Sequence, residues 1–172
     1  MFVLGIDPGL SRCGYGLVAD SGGGAARPGG LAAVTAGVLE TDPDAPLPER
    51  LRLLRDELRR LMAEHRPDVV AVERVFFQVN ARTAMSVGQA SGLALAEAAA
   101  AGADVAQYTS NEVKQALAAW GAADKSQVRR MVATVLGLAG VPGPPDVADA
   151  LALAVCHLFG ASVRRAVAEA RL

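Results

Sequence analysis

The hydrophobic positions at the start of the chain fall into short apolar runs. Residues 2–7, 13–20 and 31–41 are such runs, separated by Asp-Pro-Gly and by the glycine-rich segment 21–30. Apolar runs of this length bounded by turn residues are typical of strands. We interpret them as an antiparallel meander, and the glycines of the second run as places where a neighbouring element packs closely.

The pattern then changes to helical spacing. Leucines separated by arginines and acids recur three or four residues apart, at Leu51, Leu54, Leu58 and Leu61. This spacing predicts an amphipathic helix that begins at the prolines 46 and 48 and ends at Pro67. Within residues 68–73, the four residues that precede Glu73 are all apolar, which indicates a strand that is buried on both faces.

The rest of the chain alternates between the two patterns. It predicts an alanine-rich helix, a strand and three further helices: 81–101, 103–108, 111–120, 125–138 and about 146 onwards. Ser110 and Asp124 are expected to cap the second and third of these helices. Strands that alternate with helices predict an α/β fold with a mixed sheet. The chain contains no internal repeat and no boundary, so we expect a single domain over residues 1–172.

Composition narrows the function classes only slightly. The chain has 52% hydrophobic residues, 20% charged residues and a net charge of −1. That balance is typical of a globular protein, without a membrane span or a secretory signal, and we expect a cytoplasmic location. Cys13 and Cys156 follow no ligand spacing and are expected to be free thiols. The charge alone does not suggest nucleic acid binding.

Acidic residues stand at unusual places in this pattern. Asp7 ends the first strand, Glu73 ends the buried strand, and Asp146 and Asp149 share one face at the start of the last helix. Asp7 could equally be an ordinary turn residue. Asp146 could simply cap the last helix, and Asp149 could interact favourably with the dipole at its N-terminus. Glu73 is harder to explain structurally, because an unpaired charge at the end of a buried strand is costly.

These acids would converge if the first strand and the buried strand are neighbours and the last helix packs across them. Like charges at close range repel and raise one another's pKa values, and a divalent cation relieves that repulsion. A donor set made only of oxygen favours Mg²⁺, for which Mn²⁺ can substitute. Carboxylates that hold two such ions are suited to phosphodiester hydrolysis.

Five segments, in order over nearly the whole chain, carry a family resemblance. They are LGIDPGLSRCGYGLV, VAVERVFFQVNARTAMSVGQASG, NEVKQAL, DKSQVRRMV and PDVADALALA. Together they resemble the RuvC family of Holliday junction resolvases. The resemblance implies a ribonuclease H-like fold, a homodimer and Mg²⁺-dependent paired nicking of a four-way DNA junction, which leaves 5′-phosphate and 3′-hydroxyl ends.

The family's metal-binding acidic positions fall on Asp7, Glu73, Asp146 and Asp149. Some relatives carry histidine at position 146, so the aspartate here favours direct metal binding over a histidine general base. Asp7 is expected to bridge two Mg²⁺ ions, the second of which it shares with Glu73.

The resemblance also implies DNA contacts. Phe76 matches a phenylalanine that stacks on bases, although Phe76 and Phe77 could both be core residues. Lys114 and Lys125 match family lysines near the catalytic groove. Arg129 is four residues after Lys125 and would share its helix face, a pattern that by itself is usually a solvated surface. Weaker candidates for the same cleft are Arg12, Arg74, Arg82 and Arg130.

Relatives dimerise through the alanine-rich helix, where Gly88, Ser91 and Gly92 would permit close approach. The alternative is that this helix packs only on its own sheet. A coupling to the RuvA and RuvB branch-migration proteins is implied by the resemblance alone. Two other functions are alternatives: an ATP-binding protein of the actin-like or sugar kinase type, and a junction-binding module without catalysis.

Overall fold

The computed structural model describes residues 1–21, 30–74, 81–118 and 124–169, with side chains at all of these except 81–83 and 162–169. Within these ranges the strands are β1 (Phe2–Asp7), β2 (Arg12–Asp20), β3 (Leu31–Glu40), β4 (Val69–Glu73) and β5 (Asp104–Tyr108). The helices are α1 (Leu47–His65), α2 (Ala81–Ala100), α3 (Ser110–Ala118), α4 (Lys125–Val135) and α5 (Pro145–Glu169). The predicted order of elements is confirmed.

The strands form one five-stranded sheet in the order β3-β2-β1-β4-β5. β1, β2 and β3 pair antiparallel, as the meander prediction requires. β4 is parallel to both β1 and β5, so the sheet is mixed. The change from antiparallel to parallel pairing follows from the connections, because a helix that crosses over between strands returns the chain in the same direction.

Helices cover both faces of the sheet. The leucines of α1 and the alanines Ala90, Ala94 and Ala98 of α2 pack on one face, with Leu4, Ile6, Val70 and Val72. On the other face α3, α4 and α5 pack against the alternate residues of the same strands, among them Val3 and Ala71. β1 and β4 therefore face apolar side chains on both sides, which explains why residues 69–72 are all buried. None of the described helices is long and apolar enough to cross a membrane.

Glycines of β1 and β2 allow α5 to lie directly on the sheet. A Cβ atom built on Gly5 would stand 1.9 Å from the carbonyl oxygen of Ala150, and one built on Gly14 would stand 2.2 Å from that of Asp146. Real side chains cannot occupy such positions, so both residues must lack one for the helix to sit where it does. The predicted close packing at the glycines of the second run is confirmed, and the packing element is α5.

Two local predictions are wrong. Thr109 caps α3, because its hydroxyl accepts from the Glu112 amide at 3.1 Å while the Glu112 carboxylate accepts from the Thr109 amide at 2.7 Å. Ser110 is instead the first helical residue, and its hydroxyl is used elsewhere. α4 ends at Val135 rather than at residue 138, and the chain turns at Gly137, whose φ is +63°. The predicted cap of α4, Asp124, is confirmed as part of a capping box with Gln127.

Candidate active site

The carboxylates of Asp7 and Glu73 meet at one edge of the sheet. β1 and β4 are parallel neighbours, and their last aligned pair is Ile6 with Val72, so Asp7 and Glu73 follow side by side. Apolar residues precede each acid in its strand and hold that strand in the core. The pairing places both acids at the carboxyl ends of the central strands, which is where α/β sheets usually carry their sites.

The N-terminal turn of α5 brings two more acids to the same place. Asp7 is paired with Gly14 across β1 and β2, and the backbone of Asp146 lies directly over Gly14. Asp149 is one helical turn further on and lines the same cavity as Asp7 and Glu73. The convergence predicted from the sequence is therefore present, and Gly14 is the residue that permits it.

The electrostatics of Asp7 show how crowded these charges are. Burial and the negative charge of Glu73, followed by those of Asp149 and Asp146, raise the pKa of Asp7 from 3.8 to about 7. Burial disfavours the ionised carboxylate, and the neighbouring acids oppose a further negative charge. In the absence of a compensating cation, the protein holds a proton on or near Asp7 up to neutral pH.

Each of the other three acids is engaged by a neighbouring group. Ser110 donates a hydrogen bond from its hydroxyl to Glu73. Lys125 donates to Asp149 with 2.7 Å between Nζ and Oδ2. Arg12 donates from both Nε and Nη2 to Oδ2 of Asp146, at 3.3 and 3.1 Å. These contacts limit the repulsion between the acids, and they also occupy oxygens that a metal ion would need.

The donor chemistry of the site fits Mg²⁺, although its side chains are not arranged as a finished metal cage. Among the described residues, no three acidic, histidine or cysteine side chains are placed so that they could hold a metal ion together. The donors at this edge are all carboxylate oxygens, which Mg²⁺ prefers, and the pKa of Asp7 is raised first by burial and then by the negative charges of its acidic neighbours. We conclude that the residues suit a divalent cation once Asp146 and Asp149 turn away from their cationic partners.

The cysteines do not compete for this role. Both thiols are free and buried, as expected. Cys13 lies close enough to Asp7 and Asp146 to sense their charge, and burial with those charges raises its pKa to about 12. A thiol with such a pKa stays protonated at neutral pH, and only the thiolate is an effective metal ligand.

A cavity of about 140 Å³ opens between the acids and two lysines. Its lining includes Asp7, Glu73, Asp149, Lys114 and Lys125. A larger cavity of about 820 Å³ lies at the opposite end of the sheet, where α1 and α2 end and β4 and β5 begin. We assign the site to the smaller cavity because the perturbed Asp7 and the convergent acids are there, whereas size alone indicates no chemistry.

The residues that are predicted to contact DNA differ in their position relative to this cavity. Lys114 lines the cavity, and within the described residues it forms no ion pair. Lys125 begins α4 and is paired with Asp149, which raises the pKa of the lysine. Arg129 points away from both, since its guanidinium donates to the carbonyl oxygens of Val141 and Gly143 at 2.6 and 3.1 Å. Arg129 thus supports the loop that leads into α5, and its predicted DNA contact is not tested by this geometry.

Phe76 lies outside the described residues, and so does the side chain of Arg82. Of the weaker candidates that the structure describes, Arg12 reaches the acidic cluster through Asp146. Arg74 follows Glu73 and donates to the carbonyl oxygen of Gln107 at 3.4 Å. Arg130 is exposed on α4. Only Arg12 in this group touches one of the four acids.

Two residues next to the acidic cluster are not among those that the sequence predicts for the site. The sequence predicts Ser110 only as a helix cap, because its contact with Glu73 depends on β4 ending and α3 beginning at the same edge of the sheet. Glu40 ends β3 and pairs with Arg12 at 3.2 Å. A threonine immediately before Ser110, with a glutamate three residues later, could have signalled the true cap. No sequence signal marks Glu40.

The mixed five-stranded sheet, the helices on both of its faces and the acids at its carboxyl edge define a ribonuclease H-like protein, as the sequence predicted. A family model described as "Crossover junction endodeoxyribonuclease RuvC" matches residues 3–157. The chain therefore belongs to the RuvC family.

Individual relatives agree with this assignment. The chain is 52% identical over 170 residues to the crossover junction endodeoxyribonuclease RuvC of Salinispora arenicola, covering 99% of this chain and 94% of the relative. It is 46% identical over 158 residues to that of Syntrophomonas wolfei, covering 92% and 88%. The two RuvC proteins are thus matched over almost their entire length.

A solved structure of Thermus thermophilus RuvC superposes with a TM-score of 0.85 at 40% identity, covering 95% of this chain and 96% of the other. A second structure, of T. thermophilus RuvC in complex with Holliday junction substrate, gives a TM-score of 0.83 at 37% identity with the same coverage. The similarity of the fold therefore extends over 95% of this chain.

Proposed function

We propose that this chain is a Holliday junction resolvase, an endonuclease that makes paired symmetric nicks in four-way DNA junctions during recombination and repair. The observation that carries the proposal is Asp7, a carboxylate with a strongly raised pKa that is surrounded by three further acids and bordered by two lysines. The proposal also rests on membership in a family whose members are named crossover junction endodeoxyribonucleases. Family membership argues against the ATP-binding alternative, and the four acids argue against a non-catalytic module.

The acids would hold two Mg²⁺ ions, with Mn²⁺ as a possible substitute. Asp7 is central to the cluster and would bridge the two sites, with Glu73 on one side and Asp146 and Asp149 on the other. Bound there, the ions would supply a nucleophilic water and stabilise the leaving oxygen, so that the products carry 5′-phosphate and 3′-hydroxyl ends. The chain's own contribution is to fix these carboxylates on rigid strands and on one helix face.

The lysines would hold the phosphate backbone beside the acids. Lys114 is half-buried at the rim of the cavity and has no described ion-pair partner, so its ammonium is available to a phosphate. Lys125 would exchange its contact with Asp149 for a phosphate when the acid turns to a metal ion. Phe76 would stack on bases near the junction centre, and Arg129 would make a peripheral phosphate contact.

We further propose that the protein acts as a homodimer through α2. The residues Ala90, Ala94 and Ala98 face the core, while Gly88 and Gly92 lie on the open side with free space where side chains would be. Met85 is 65% exposed on the same helix. A helix with small residues and an exposed methionine suits close approach of a second copy, and a two-fold dimer would present two equivalent sites to a two-fold junction.

The cellular setting follows from the same family relationship. We propose a cytoplasmic enzyme that cooperates with the RuvA–RuvB branch-migration complex. Within the described residues no helix could span a membrane, which is compatible with that location.

A cleavage assay tests the proposal. The full chain is incubated with a synthetic mobile four-way junction that is labelled on each strand in turn, with Mg²⁺ or with a chelator, and products are resolved on a denaturing gel. We expect symmetric nicks on two opposed strands only with Mg²⁺. Asp7→Asn should abolish nicking while junction binding persists, and Asp56→Asn, a change on the outer face of α1, should leave nicking unchanged. Nicking by Asp7→Asn at a substantial rate would contradict the site assignment.

A further inference from the structure

The guanidinium of Arg12 lies between two carboxylates, one inside the acidic cluster and one outside it. Nε and Nη2 donate to Oδ2 of Asp146 at 3.3 and 3.1 Å. Nη1 lies 3.2 Å from Oε1 of Glu40. Two nitrogens of Arg12 thus contact Asp146, which is a proposed metal ligand. The third contacts Glu40, which is not part of the metal site.

The backbone fixes this arrangement. Arg12 and Glu40 are paired across β2 and β3, so their side chains start from adjacent positions on the sheet. Asp146 is held on the other side by the contact of its backbone with Gly14. One guanidinium therefore contacts both carboxylates at the same time.

The contact with Asp146 competes with metal binding. An oxygen that accepts two N–H groups has its lone pairs directed at the guanidinium, and it must turn before it can coordinate a cation. The pair is half exposed, with 45% of the Arg12 side chain and 27% of the Asp146 side chain accessible. Exposed ion pairs contribute little, so a divalent cation can displace this one.

Lys125 offers a comparison. It pairs with Asp149, and the other acids that raise its pKa, Asp7 and Glu73, belong to the same cluster. Once Asp149 turns to a metal ion, Lys125 has no acid outside the cluster among its described partners. Arg12 differs because Glu40 remains available to it.

We propose that Arg12 is a positioning residue that holds Asp146 in the metal-free protein, and that Glu40 retains the guanidinium when Asp146 turns to the metal. The inference rests on the proposed metal-dependent function. It assigns Glu40 a role in metal affinity that acts only through Arg12.

Mn²⁺ binding by the full chain, measured by electron paramagnetic resonance without DNA, tests this role. Arg12→Gln removes the competitor and should tighten Mn²⁺ binding about two- to fivefold, the range expected for an exposed ion pair. Glu40→Gln leaves the guanidinium entirely to Asp146 and should weaken binding by a similar factor. Arg12→Lys should fall between wild type and Arg12→Gln, because an ammonium retains a charge but loses the two-point contact.

The double variant separates this role from a general effect of charge. If Glu40 acts through Arg12, then Glu40→Gln has no effect on Mn²⁺ affinity in the Arg12→Gln background. If it acts only as a distant negative charge, it weakens binding equally in both backgrounds, and that result would overturn the inference. Arg60→Gln, which removes a cation paired with Glu57 and Glu64 on α1, is the matched control and should change nothing.

The remaining outcomes are also distinct. Equal Mn²⁺ affinities for wild type, Arg12→Gln and Glu40→Gln would overturn the role of Arg12 and leave the proposed nuclease function standing. Absence of Mn²⁺ binding in every variant would overturn the metal site itself, and the inference with it.

Discussion

The raised pKa of Asp7 implies that this residue destabilises the metal-free protein at neutral pH. The unfolded chain ionises Asp7 at about its ordinary value of 3.8, whereas the folded protein retains the proton until about pH 7. Between these values the folded state binds more protons than the unfolded state, so the stability associated with this group falls as pH rises. Below the lower value there is no penalty, and above the higher value the penalty is complete.

Asp7→Asn removes the charge at nearly constant shape. The difference between 3.8 and about 7, at ~1.36 kcal/mol per pKa unit, sets an upper limit of about 4 kcal/mol for the gain in unfolding free energy. Partial exposure to solvent screens the neighbouring charges, so we expect about half of this, roughly 2 kcal/mol, at pH 8. For a protein of this size that gain corresponds to an increase of about 4–8 °C in Tm.

Urea unfolding of the wild type and of Asp7→Asn, in a chelator at half-unit steps from pH 5 to pH 8, measures this effect. The stability difference should grow with pH and level off near pH 7 to 8. Saturating Mg²⁺ should then reduce the difference, because it stabilises only a folded protein that can bind it. Asp56→Asn is the control with the opposite sign, since Arg55 lowers the pKa of the Asp56 carboxyl and its replacement should not stabilise the protein.

A stability difference that is the same at pH 5 and pH 8 would refute the reasoning, because it would mean that Asp7 titrates alike in the folded and unfolded states. A loss of stability in Asp7→Asn at pH 8 would refute it more strongly, since the carboxylate would then be a favourable partner in the metal-free cluster.

Three further substitutions test residues that pack against, hydrogen-bond or lie beside the four acids. Gly14→Ala should push the start of α5 away from the sheet. A displacement near 1 Å should lower the rate of single-turnover junction cleavage about 100-fold. An unchanged rate would contradict the role of this close packing in positioning the acids. Ser110→Ala should remove one hydrogen bond to Glu73 and lower the cleavage rate about fivefold at limiting Mg²⁺, with little change in Tm. An equal loss of rate at saturating Mg²⁺ would contradict a role of Ser110 in positioning Glu73 for the metal ion. Lys114→Ala should reduce the slope of log affinity for the junction against log salt by about 1, and an unaltered slope would exclude a phosphate contact.

The sequence by itself determined the order of the strands and helices and predicted the four acids that meet at the edge of the sheet. Short apolar runs bounded by turn residues, and apolar residues at helical spacing, depend on which parts of each element must be buried, and that information is local. Glu73 stood out because a charge at the end of a continuously apolar strand needs a partner. The family resemblance then supplied the fold and the activity, which the composition and the net charge did not indicate.

The tertiary structure decided which groups engage those acids. Ser110 reaches Glu73, and Arg12 joins Asp146 to Glu40, only because β2, β3, β4 and the starts of α3 and α5 meet at one edge of the sheet. These contacts join residues between 28 and 134 positions apart, as the numbers of the pairs Arg12–Glu40 and Arg12–Asp146 show. No short-range pattern encodes them, since a local rule sees only the neighbours of a residue along the chain. The sequence therefore named the acids, and the packing of α5 on the glycines of β1 and β2 decided how they are held.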